Sequence, residues 1–260
     1  MKGLFKLFKK QRHLPRQEPV QVNAPADTRI YAIGDVHGRL DLLDKLHERI
    51  SQDAEAARAP RNLVIYLGDY IDRGLESRGV LDRLASPPLQ NFETVHLKGN
   101  HEAIMLEFLE DISVGPKWMP IGGNATLLSY GVEIRRGGTR PADFAQIQDE
   151  LNKKLPPEHL AFLQSLELQH VEADYYFVHA GVRPGRPLAN QVERDLIWIR
   201  EPFLSSSEWH GKIVVHGHSI EWEPQVFANR IGIDTAAYAS GRLTCLVLWK
   251  DEKTFIFADA

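Results

Sequence analysis

The chain has 260 residues, 43% hydrophobic and 25% charged, which suits one large or two small globular units with a substantial core. The net charge of −4 conceals a split: residues 1–17 carry six basic side chains and no acid, leaving 25 basic against 35 acidic residues in the remainder. An acidic body argues against nucleic acid as a partner, and a lone cysteine, Cys245, excludes a disulfide framework and points to a reducing, cytoplasmic compartment.

The opening MKGLFKLFKKQRH sets Leu4, Phe5, Leu7 and Phe8 on one side of a helical pattern, with lysines on the other. It is too short for a signal peptide or a bilayer span. It reads as a frayed basic tail or, alternatively, as a weak anchor on an anionic membrane surface at the inner face. Pro15, Pro19 and Pro25 make the rest of residues 1–28 an irregular linker, so a single folded domain is expected over 29–260.

From Arg29, RIYAIG reads as a strand, and Leu40, Leu43, Leu46 and Ile50 recur at helical spacing. NLVIYLG is a second strand, followed by a short helix around Val80–Leu84. FETVHLKG is a third, followed by a helix from His101 to about Glu110. This β-α-β-α-β order predicts a parallel sheet. Residues 111–170 read as a helical insert, with HLAFLQSL its clearest helix. From Asp174 the text is strand-rich (DYYFVHAG, KIVVHGH, PQVFANRIGID, RLTCLVLWK, KTFIFAD), which predicts a second, mixed sheet stacked on the first. Cys245, inside RLTCLVLWK, reads as a core thiol rather than a nucleophile.

The polar residues that stand out follow predicted strands: GDVHG the first, GDYIDRG the second, GNHE the third, HAG the fourth, HGH the fifth. In open α/β sheets ligands bind at that edge. Asp35, His37, Asp69, Asn100, His179 and His218 offer oxygen and imidazole donors and no sulfur, a set suited to Mn, Fe, Zn or Co rather than to an all-oxygen Ca or Mg cage. Six ligands exceed what one zinc needs. A shared Asp69 would let them hold two ions about 3.5–4 Å apart. His216 and His218 project to the same side of an extended segment, so periodicity alone does not choose between them.

Taken together these motifs resemble the signature of the PPP-type phosphoprotein phosphatases, bacterial branch, within the calcineurin-like metallophosphoesterases, from about Arg29 to Asp259. DLIWIRE and IGIDT add to the bacterial likeness. The resemblance implies an α/β fold, a β-sandwich of two mixed sheets flanked by helices. It implies a first metal on Asp35, His37 and Asp69, and a second on Asp69, Asn100, His179 and His218, with Mn²⁺ the expected ion and Fe or Zn the alternatives. It also assigns the HGH ligand to His218 and leaves His216 to packing. A water or hydroxide bridging the ions would attack phosphorus. Arg73 and Arg200, beside Asn100, would hold the phosphoryl oxygens, and His101, oriented by Asp72, would protonate the leaving oxygen.

The chain departs from the pattern at Ile121-Gly122-Gly123, where bacterial relatives often read NGG, and at Ala236, where a glycine often follows IDT. The substrate-groove loop of eukaryotic members is not found after Asp234. The resemblance thus implies hydrolysis of phosphorylated proteins or peptides. A dinucleoside polyphosphate hydrolase is the alternative, disfavoured because those relatives carry glutamine in place of His37. A non-catalytic scaffold for phosphorylated partners would lack a ligand, acid or arginine, and none is lacking.

Overall fold

The computed structural model describes residues 22–133 and 140–260, so the basic opening segment and its membrane reading lie outside the described residues. The first half runs β1 (Thr28–Ile33), α1 (Leu40–Ala57), β2 (Arg61–Tyr66), α2 (Ser77–Leu84), β3 (Glu93–His96) and α3 (Asn100–Glu110). β1 pairs with β2 and β2 with β3 in parallel, Leu63 standing opposite Ile30 on one side and Glu93 on the other. The expected β-α-β-α-β unit is therefore present. The strands read as continuous apolar runs because both faces are covered: Tyr31 and Ile33 join the core under the helices, while Ile30 and Ala32 join the core between the sheets. α1 presents Leu42, Leu43, Leu46 and Ile50 as its buried stripe.

The insert contributes α4 (Gly115–Trp118), α5 (Gly123–Ser129), α6 (Pro141–Lys154) and α7 (Pro157–Ser165). At its end lies an element the sequence reading missed, β4 (Gln169–Glu172), which forms an antiparallel hairpin with β5 (Tyr175–Val178). α8 (Glu193–Trp198), β6 (Ile213–His216), β7 (Gln225–Val226), β8 (Arg230–Gly232), α9 (Ala237–Ser240), β9 (Arg242–Trp249) and β10 (Glu252–Asp259) complete the order.

Among the described residues two five-stranded mixed sheets result, β10-β9-β1-β2-β3 and β4-β5-β6-β8-β7. The strands after Asp174 do not all build the second sheet, as the sequence reading expects. β9 returns to the first sheet, antiparallel to β1, and carries β10 with it along an eight-residue ladder. The reason lies in its side chains: Leu243, Cys245 and Val247 bury against the helices, and Leu246 and Leu248 bury between the sheets. A strand apolar on both faces needs an interior position, and the edge of β1 supplies one. Cys245 is fully buried there, and burial holds its thiol pKa well above the ordinary value.

Candidate metal and phosphoryl site

The turns leaving β1, β2, β3, β5, β6 and β8 converge at one end of the sandwich. They bring Asp35, His37, Asp69, Asp72, Asn100, His101, His179, His218 and Asp234 together, all of them buried. The turns are tight. His37, Asp69, Asp72, Arg73 and His218 hold positive φ angles of 45°, 54°, 72°, 65° and 61°. Non-glycine residues persist in that region only where the surroundings over-determine them, and such positions gather at functional sites. Two motif glycines have a narrower reason than turning. A Cβ at Gly99 would overlap the Asp69 carboxylate, and one at Gly217 would overlap that of Asp35.

Asp69 sits at the centre. Its Oδ2 lies 3.6 Å from His37 Nε2, 3.8 Å from His101 Nε2 and 3.4 Å from His179 Nε2. Two sets of side chains able to hold a cation share it: His37, Asp69 and His101, and Asp69, His179 and His218. Nδ1 of His37 donates to the Ile71 carbonyl and Nδ1 of His179 to the Leu67 carbonyl, each at 2.8 Å. Because a carbonyl only accepts, Nδ1 carries a proton in each ring. In the neutral His37 ring this leaves Nε2 as a lone pair aimed inward, the usual support of a metal-ligating histidine; at His179 burial opposes a charged ring, but Asp69 leaves its pKa above the ordinary value. Nε2 of His37 and of His218 are buried with no hydrogen-bond partner among the described residues. Asn100 Oδ1 lies 3.0 Å from His179 Nε2.

Asp35 stands in neither of those sets. Both its oxygens accept from the His218 amide, at 3.2 and 3.1 Å, and its carboxyl group lies against Asp234. Burial, then Asp234 and Asp69, push the Asp35 pKa well above the carboxylate range. Asp69 goes the other way: burial opposes its ionisation, yet His179, His101 and His37 hold its pKa well below normal. Crowded buried carboxylates and inward lone pairs are what divalent cations neutralise, so these residues fit a metal centre on donor chemistry.

Beside this centre is a second device. His101 Nδ1 donates to Asp72 Oδ2 at 2.6 Å. Burial works against a charged His101 ring, but Asp69 and Asp72 leave its pKa above the ordinary value. Arg73 places Nη2 3.4 Å from His101 Nε2 and stacks its guanidinium 4.6 Å above the Tyr238 ring. Arg200 is exposed, and its Nη2 donates to the His218 carbonyl at 3.3 Å. His216, the other histidine of HGH, packs 5.1 Å from the Phe203 ring and belongs to neither donor set. The departure at Ile121 has a structural answer: Gly122 adopts φ 123° and accepts from the Arg73 amide at 3.3 Å, while Ile121 packs on the helix-side core.

Sequence reasoning missed Glu102, Trp118, Thr126 and Asp234. Glu102 accepts from the amides of Asp69, Tyr70 and Gly99 at 2.8–2.9 Å, tying the GDYID turn to the start of α3. Its place three residues after the N-cap Gly99, as in a capping box, was the available signal.

A model of the family described as calcineurin-like phosphoesterase matches residues 28–239, which hold β1 to β8 and every turn just described. Serine/threonine-protein phosphatase 2 of Escherichia coli K12 is 27% identical over 239 residues, covering 89% of this chain and 98% of that protein. The asymmetrical bis(5'-nucleosyl)-tetraphosphatase PrpE of Bacillus thuringiensis is 23% identical over 241 residues, covering 82% of this chain and 88% of that protein. The crystal structure of a candidate diadenosine tetraphosphatase superimposes with a TM-score of 0.61 at 20% identity, covering 90% and 96% of the two chains, a likeness of fold. The match to the family model and the sandwich that carries the site agree, and the chain belongs to the calcineurin-like phosphoesterase family.

Proposed function

We propose that the chain is a metal-dependent phosphoprotein phosphatase, hydrolysing phosphomonoesters on protein or peptide side chains. The observation that carries the reading is the juxtaposition of two donor sets sharing Asp69 with a buried His101–Asp72 pair at their edge. Asp35, His37 and Asp69 would hold one divalent cation, and Asp69, Asn100, His179 and His218 the other, with Mn²⁺ favoured over Fe or Zn. Once bound, the two cations supply Lewis acidity at phosphorus and a water of lowered pKa.

The chain's own groups do the rest. Arg73, braced on Tyr238, and Arg200 hold the phosphoryl oxygens with guanidinium donors. Water oxygen bonds to phosphorus, and the ester P–O bond breaks. The proton on His101 Nε2 passes to the departing alcohol oxygen, and the proton of the attacking water goes to solvent. Asp72 fixes the ring so that Nδ1–H points inward and Nε2 faces the site.

The acid supports a monoester substrate. A serine or threonine alkoxide is a strong base and leaves badly without a proton, whereas a nucleotide phosphate leaves readily. The tetraphosphatase relatives favour the other reading, so the two are set against each other in one experiment. The metal-supplemented protein is assayed on phosphoserine, phosphothreonine and phosphotyrosine peptides and on diadenosine tetraphosphate. The expected result is a kcat/KM at least about tenfold higher on a phosphopeptide. The reverse order overturns the assignment in favour of a dinucleoside tetraphosphatase.

A further inference from the structure

Asp72 is fully buried, and each of its carboxylate oxygens is accounted for. Oδ2 accepts from His101 Nδ1 at 2.6 Å and from the Trp118 indole Nε1–H at 2.9 Å. Oδ1 accepts from the Thr126 hydroxyl at 2.6 Å. The same Thr126 oxygen lies 2.9 Å from the Asp72 amide nitrogen, which also points at Ser77 Oγ, 3.0 Å away. Thr126 therefore touches both the main chain and the side chain of the residue that opens the consecutive left-handed pair Asp72-Arg73.

Trp118 and Thr126 come from α4 and α5, in the insert. Neither side chain is exposed, and the carboxylate that each hydrogen-bonds is that of Asp72. Gly123, between them, has no room for a Cβ because the Trp118 ring fills the space, so the turn is shaped around that indole. The adjoining Gly122 carbonyl takes the Arg73 amide. Of the three side-chain donors on the Asp72 carboxylate among the described residues, only His101 can become a cation. The other two are neutral and fixed, and they hold the carboxylate plane in the orientation His101 needs.

From this we infer that the α4–α5 turn is a positioning element for proton donation: Trp118 and Thr126 act through Asp72 to hold the His101 ring, without contact with substrate. The inference rests on the proposed monoester reaction and assigns the insert a part in it. If Asp72 is free to rotate, His101 loses its fixed tautomer and its aim, and part of the about 10²–10⁴-fold contribution of a general acid goes with it.

The test is a leaving-group series on the metal-loaded full chain, from para-nitrophenyl phosphate through phenyl phosphate to a phosphoserine peptide, for wild type, Thr126→Val, Trp118→Phe and Thr126→Ser. Thr126→Val and Trp118→Phe should keep two metals per chain and a cooperative thermal transition. On the phosphoserine peptide, kcat should fall about 10- to 100-fold with KM within about threefold, while nitrophenyl phosphate changes by less than about threefold. Thr126→Ser, which retains the hydroxyl, should restore the phosphoserine rate. Equal losses across the series, or failure of Thr126→Ser to rescue, would show a merely structural role and overturn the inference while leaving the proposed function standing. A variant that fails to fold is replaced in the comparison by the other one. A wild-type chain that turns over no monoester at all would remove the proposed function and this inference together.

Discussion

At the scale of single residues, Asp69 and His101 have separable parts, and substitution should pull them apart. Asp69 is the member common to both donor sets, and its ionised carboxylate faces three histidines within 3.8 Å. Asp69→Asn removes the shared charge and leaves two cations repelling each other across a neutral amide. Metal analysis should find fewer than two ions per chain, with activity near background. Two retained metals would refute the sharing. His101 is a sharper case because its Nε2 lies close enough to His37 and Asp69 to be counted as a ligand. The bond to Asp72 favours the proton donor. His101→Asn should therefore keep both metals and cut phosphoserine turnover by about 10²–10⁴-fold, with para-nitrophenyl phosphate losing markedly less. Loss of a metal would make His101 a ligand instead.

At the scale of elements, the site depends on how closely one turn can approach another, and glycine decides it. Gly217 follows β6 directly, and a Cβ there would overlap Asp35 Oδ1. Gly217→Ala should displace that carboxylate and its bonds from the His218 amide, costing about 10²-fold in turnover, the scale of an active-site shift of about 1 Å. Far-UV circular dichroism should stay unchanged, and wild-type turnover in the variant would show that the turn yields freely. The glycines themselves were legible in the sequence because each motif carries one beside a polar residue. What each makes room for was not, since Asp35 and Gly217 are far apart along the chain. The same limit hid Trp118 and Thr126, which meet Asp72 across 46 and 54 residues. Local pattern identifies a strand better than its neighbours: RLTCLVLWK read as a strand, but either sheet could have housed it. QHVE, half-buried and polar at three of four positions, carried too little alternation to announce β4.

At the scale of the whole molecule, the helix-side core contains a titratable group the proposed reaction does not use, and it sets an acid limit on stability. His47 on α1 is buried, and its Nε2 meets the Tyr66 hydroxyl on β2 at 2.8 Å. Burial, with Arg83 and His96 nearby, pushes its pKa down to about 4. Unfolded, the ring would titrate near about 6.5. Between those values the unfolded chain binds the proton that the folded chain refuses, so stability rises with pH across the window. The contribution is complete above about 6.5, falls by at most about 1.4 kcal/mol per pH unit on acidification, and levels off once the folded ring is also protonated near about 4. Urea unfolding followed from pH 7 to pH 4 should show this decline. His47→Gln offers an uncharged amide to the Tyr66 hydroxyl and removes the proton site, so its curve should fall less steeply over the same window. An identical slope in wild type and variant would place the acid sensitivity elsewhere, in His96 and His216, whose pKa values burial also pushes down to about 4, or in the histidines around Asp69. The share of the site separates experimentally from that of His47, because saturating metal should change the slope contributed by the site while leaving that of His47 as it was.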